Sequence, residues 1–108
     1  MKFNPARMTR DQIGVLLYLE TCMVDQQGRC QSMRMNDADF KAIEKFKAGG
    51  LLDFGRIAFK EIPRGSATTH WVTFTDAAWT LVHLLRRQRA DRNYRGKHHE
   101  AIQRRVFA

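Results

Sequence analysis

A chain of 108 residues with 44% hydrophobic and 28% charged side chains has the size and composition of one ordinary globular domain, which excludes disordered and fibrous classes. No apolar run approaches the roughly 18 residues of a membrane span, and Met1-Lys2-Phe3-Asn4-Pro5 lacks the apolar core of a signal peptide. A cytoplasmic protein without membrane contact is therefore expected. The formal charge is +8, a balance that suits a polyanionic partner.

That charge is unevenly spread. Residues 1–85 hold eleven basic and nine acidic groups, whereas residues 86–108 hold eight basic and two acidic ones. The body is nearly neutral and the C-terminal stretch carries the excess. Two cysteines, Cys22 and Cys30, are too few for a disulfide scaffold or a four-ligand zinc site.

The first periodic segment runs from Thr9 to about Val24, with Ile13, Leu16, Leu17, Cys22 and Met23 at helical spacing. Thr9 and Gln12 form a capping-box pattern, and Met8 with Ile13 a hydrophobic staple. Asp25-Gln26-Gln27-Gly28 ends the helix. Residues 29–35 alternate loosely, which fits a short strand or an extended connection, and Cys30 is placed in an accessible loop. A second helix opens at Asn36 or Asp37, puts Phe40, Ile43 and Phe46 on one side, and stops at Ala48-Gly49-Gly50. Leu51 and Leu52 return the chain to the core.

From Phe54 to Ile62 the period becomes two, with Ile57 and Phe59 directed one way and Arg56, Ala58 and Lys60 the other. Pro63-Arg64-Gly65-Ser66 is a turn, and His70–Phe74 is rich in β-branched and aromatic residues. The two runs predict a β-hairpin. Thr75 caps a third helix that runs to about Arg89–Asn93, with Phe74 and Trp79 as its staple. Ala78, Leu81, Val82 and Leu85 form its apolar stripe, and Trp79 and Leu84 widen that stripe enough to suggest cover by a second copy. Glu100–Val106 fits a last, weak helical turn.

The expected fold is mainly α with a β-hairpin (α+β): helix, short strand, helix, hairpin, long C-terminal helix. The expected organisation is an arm over 1–8, a domain over 9–91 and a basic tail over 92–108.

Two stretches resemble the MarR- and PadR-like bacterial regulators. Leu51-Leu52 after Ala48-Gly49-Gly50 is similar to the exit from their recognition helix, and Trp71-Val72-Thr73-Phe74-Thr75-Asp76-Ala77-Ala78-Trp79 to the return strand and start of their C-terminal helix. The resemblance covers roughly residues 9–90 and implies a winged helix, with 36–48 as recognition helix and the hairpin as wing. The family has two short helices before the exit of the recognition helix, whereas residues 25–35 show no apolar helical stripe for the first of them.

Catalytic chemistry has no visible constellation. His70, His83, His98 and His99 lack carboxylate or thiol partners at ligand spacing, and the sparse glycines make no phosphate loop. No catalytic residue, metal or cofactor is expected. The candidate nucleic-acid-binding residues are Lys41 and Lys45 on the outer face of the second helix, with Lys47 beside them. In the hairpin they are Arg56, Lys60 and, at the tip, Arg64. Arg86, Arg87 and Arg89 end the third helix, where cations also complement the helix dipole. Arg92, Arg95, Lys97, Arg104 and Arg105 extend that cluster beyond what capping requires. The expected partners are double-stranded DNA and a second copy of the chain through Trp79 and Leu84. The alternative is an interaction module, such as a phage or mobile-element accessory protein, that meets an acidic protein surface.

Overall fold

A computed structural model of the chain describes residues 3–94, with no side-chain description for Tyr94. It is an α+β arrangement of three helices and a three-stranded antiparallel sheet, in the order α1 (Arg10–Asp25), β1 (Arg29–Cys30), α2 (Asp37–Ala48), β2 (Leu52–Arg56), β3 (His70–Phe74) and α3 (Asp76–Tyr94). Short 3-10 turns lie at Pro5–Arg7, Ser32–Arg34 and Phe59–Glu61.

Local chemistry accounts for the helix ends. Gln12 N–H donates to Thr9 Oγ1 at 3.1 Å and Thr9 N–H to Gln12 Oε1 at 2.9 Å, so the capping box before α1 is closed on both sides. Asn36 and Asp39 build the same box before α2, at 2.9 and 3.0 Å. At the far end of α2, Gly50 has φ +76°, while its N–H reaches the Lys47 carbonyl and Leu51 N–H the Phe46 carbonyl, both at 3.0 Å. These two bonds satisfy the last carbonyls in a Schellman arrangement, and glycine bears the left-handed turn without a Cβ penalty.

The chain reverses from α1 into β1 at Gly28, whose φ is +80° and whose position would put a Cβ 2.7 Å from the Val72 carbonyl oxygen. Val72 N–H donates to the Gly28 carbonyl at 2.8 Å, so only a residue without a side chain lets the turn meet β3.

The sheet order is β1-β3-β2. Central β3 pairs Trp71 and His70 with Arg29 and Cys30 on one side, and Phe74 to His70 with Leu52 to Arg56 on the other. Thr75 then joins sheet to helix: its hydroxyl donates to the Leu51 carbonyl at 2.6 Å and accepts from Ala78 N–H at 3.2 Å. The Phe74–Trp79 staple is present as an edge-to-face pair with centroids 5.1 Å apart.

Leu16, Leu19, Ile43, Phe46, Leu81, Val82 and Val72 are fully buried and interlock the three helices with the sheet. Phe40 and Phe74 close the edge of that core, half-buried. Phe3 packs edge-on against Phe46 at 5.1 Å, so this residue of the expected arm lies against the domain. Helix α3 continues through residue 91 to Tyr94. The turn expected over Glu100–Val106 lies outside the described residues.

Two expectations are corrected. Cys30 is not in an accessible loop; it is fully buried in β1, beside the equally hidden Cys22. The strand expected from Phe54 to Ile62 ends at Arg56, and Phe59, read on the same strand face as Ile57, lies beyond the sheet and is 92% exposed. Beyond the Arg56–His70 pair the last rung is Ile57 N–H to the Thr69 carbonyl, at 2.9 Å. Past that rung β3 offers no further partner, so the side chains have no paired sheet to stand on.

Candidate nucleic-acid interface

Lys41 and Lys45 are exposed on α2, opposite the buried Ala42, Ile43 and Phe46. Their face also carries exposed Glu44. Asp39 is occupied by the capping box, which ties its carboxylate to the helix start. Lys47 is drawn aside: its Nζ donates to the Phe54 carbonyl at 3.2 Å and lies 3.9 Å from Asp53.

The hairpin stands next to this helix because three rings bridge them. Phe54 and His70 are stacked at 5.1 Å, and Phe40 of α2 lies 6.3 Å from Phe54 and 5.6 Å from His70. Burial lowers the His70 pKa from its ordinary value, with the nearby Arg56 guanidinium acting in the same direction. The ring is thus kept neutral for stacking. The turn before α2 is fastened to the same place, since Ser32 N–H donates to Thr69 Oγ1 at 3.1 Å.

Arg56 is exposed at the end of β2, and Arg64 is exposed within the turn closed by Ser66 N–H to the Pro63 carbonyl at 3.0 Å. Lys60 is also exposed, yet it sits on the 3-10 turn Phe59–Glu61 and not on an outer strand face. This differs from the sequence reading for the reason that shortens β2.

The arginines of α3 divide. Arg86 Nε donates to Glu20 at 2.8 Å, and its Nη2 lies 3.3 Å from the Leu17 carbonyl and 3.4 Å from Thr21 Oγ1. It braces α3 against α1, and a phosphate would have to compete with that network. Arg87 and Arg89 are exposed. Helices α1 and α3 run antiparallel, so Arg89 and Arg92 come beside Arg10, and the three line a cleft of about 540 Å³ with Ile13 and Asn93.

A second cleft, of about 440 Å³, shares Arg10 and continues to Arg34 and Asp39 at the start of α2. Sequence reasoning missed Arg10 and Arg34 in this band, because helix packing alone brings them into it. Arg95, Lys97, Arg104 and Arg105 lie outside the described residues.

Trp79 is half-buried on Phe74 and 6.0 Å from the His83 ring, while Leu84 is 38% exposed. The apolar arc of α3 is therefore taken up inside the chain except at Leu84. Burial, helped by the neighbouring Cys22 and Cys30, pushes the Tyr18 hydroxyl up to about 12, against the opposing effect of the Gln31 N–H that its oxygen accepts at 3.1 Å. The hydrogen bond between the Cys22 and Cys30 thiols holds Cys22 below its ordinary value and pushes Cys30 up. Among the described residues no three His, Cys, Asp or Glu side chains are grouped to hold a metal ion, and no helix is long and apolar enough to cross a membrane. Comparison with protein-family models, with curated proteins and with solved structures gives no match.

Proposed function

We propose that this chain is a winged-helix protein that binds double-stranded DNA and acts as a dimeric transcriptional regulator, by binding and not by catalysis. The observation that carries this reading is the junction of α2 with the hairpin through Phe40, Phe54 and His70. It sets the exposed cations Lys41 and Lys45 on one element and Arg56, Lys60 and Arg64 on its neighbour. A helix that enters the major groove beside a basic hairpin is the docking geometry of such domains.

The sheet order β1-β3-β2, with α2 between β1 and β2 and a long helix after β3, supports the same fold. In this reading the 3-10 turn Ser32–Arg34 stands in place of the first helix of the helix-turn-helix. Lysines dominate the face of α2, so affinity comes chiefly from phosphates and sequence preference from this helix is modest. A second copy would cover Leu84, the side chain of the α3 arc that the chain leaves exposed.

A titration of unrelated duplexes at several salt concentrations tests the proposal. Each phosphate contact contributes a slope of about 0.9 in log K against log salt on B-DNA. Replacing Lys45 and Arg64 together flattens that slope by roughly 1.8 and weakens all duplexes alike. Weak duplex binding that the double variant leaves unchanged would refute it. A protein-interaction module is the second reading, favoured by Met33, which is 80% exposed in the turn before α2, and by the acidic groups beside the lysines.

A further inference from the structure

Among the described residues Phe59 is the most exposed large hydrophobic side chain, at 92%. A ring so fully in water gains nothing from burial in the fold and is free to meet a partner. Its backbone is held in place. Ile57 N–H donates to the Thr69 carbonyl at 2.9 Å, Glu61 N–H to the Ala58 carbonyl at 2.8 Å, and Ile62 N–H to the Phe59 carbonyl at 3.2 Å. Ile57 and Ile62 are half-buried and, with Phe59, line an open apolar depression of about 620 Å³.

Charge around this knob is one-sided. Arg56, Lys60 and Arg64 are all exposed, and none has an ion pair among the described residues. Glu61 is the sole acidic residue between Arg56 and His70. The hairpin thus presents one aromatic side chain among three cations.

We infer that Phe59 is a wedge that enters duplex DNA from the minor groove and opens one base step, while Arg56, Lys60 and Arg64 hold the flanking phosphates. The inference rests on the DNA-binding reading and adds that the bound duplex is kinked. A duplex offers both things the hairpin lacks, dense negative charge and an apolar slot between stacked bases. Apolar wedges of this kind bend DNA by about 20–90°. A second copy of the hairpin is a poor occupant, because it would bring two positive surfaces together. A single-stranded partner is served by several stacking aromatics in a groove, and this loop exposes one.

Short duplexes carrying donor and acceptor dyes at their ends, with 2-aminopurine placed at successive steps, give the test. The wild-type chain shortens the end-to-end distance and brightens 2-aminopurine at one step. Phe59→Ala keeps the melting temperature, since the side chain is exposed, but abolishes both signals. It also weakens binding roughly tenfold, the scale of one lost aromatic–base contact, with the salt slope unchanged. Phe59→Leu restores part of the kink, and Lys60→Ala with Arg64→Ala flattens the salt slope yet keeps the brightened step. Salt-dependent binding to a straight duplex, or an equal kink from Phe59→Ala, overturns the wedge and leaves the DNA reading standing. Absence of salt-dependent duplex binding by the wild-type chain overturns both. A change in sedimenting mass caused by Phe59→Ala, with duplex binding intact, assigns the side chain to a protein contact and also overturns the wedge.

Discussion

His70 shows how one position couples the core to the proposed interface. Its ring is stacked on Phe54 and hydrogen-bonded through Nδ1 to Thr69 Oγ1 at 2.8 Å, and its pKa is lowered first by burial and then by Arg56. In the unfolded chain the imidazole takes its proton near pH 6.5, and in the folded chain only at lower pH. Between those two values the unfolded state binds more protons. This group therefore costs stability as the pH falls through that window and has no effect above it. An NMR titration of the ring should give a midpoint below 6.5, moving upward in Arg56→Ala. A midpoint at or above 6.5 would contradict the stacked, neutral ring. Phe46 is fully buried against Phe3, and Phe46→Ala should cost about 3–5 kcal/mol in urea unfolding, the usual range for a large aromatic core truncation. A value under about 1 kcal/mol would mean that the site collapses around the missing ring.

Among the elements, α3 separates a structural arginine from exposed ones. Arg86 joins α1 through Glu20, Thr21 and the Leu17 carbonyl. Arg86→Ala should lower stability by about 1 kcal/mol, since the pair is partly exposed but supported by hydrogen bonds from the guanidinium to the Leu17 carbonyl and Thr21 hydroxyl. It should leave the salt slope of duplex binding unchanged. Arg89→Ala should do the reverse, with unaltered melting and a slope flatter by about 0.9. A flattened slope in Arg86→Ala would show that the brace opens on binding. The length of β2 belongs to this scale too. Strand β3 has five residues, His70–Phe74, and β2 pairs along that length only, so the alternation read through Ile62 had no strand to match it.

For the whole molecule the question is where the positive charge acts. Removal of the chain after Tyr94 deletes Arg95, Lys97, Arg104 and Arg105 and one acidic group, Glu100. Binding to every duplex should weaken and the salt slope flatten. The remainder should still lose affinity when Lys45 and Arg64 are replaced. Complete loss of duplex binding on truncation alone would place recognition in the basic tail. Sedimentation at micromolar concentration should give about twice 12.6 kDa, and Leu84→Lys should return the monomer. A monomeric wild type would remove the dimer and, with it, the paired half-sites of a two-fold operator.

Much of the architecture was legible in residues that act locally. Thr9 with Gln12, Asn36 at the start of α2, Ala48-Gly49-Gly50 and Phe74 with Trp79 each satisfy or close a helix end through neighbours only a few positions away. The buried stripe of α3 followed from spacing in the same way. Contacts between distant segments were not legible. Cys30 is buried because β1 pairs with β3, forty residues further on. Arg10 and Arg89 share a cleft because α1 and α3 pack antiparallel. Arg86 is committed to α1 by the same packing. Phe59 is exposed because the sheet ends before it. Short-range chemistry is written in adjacent residue types, whereas the surroundings of a side chain are set by which elements meet, and that was decided only in the tertiary structure.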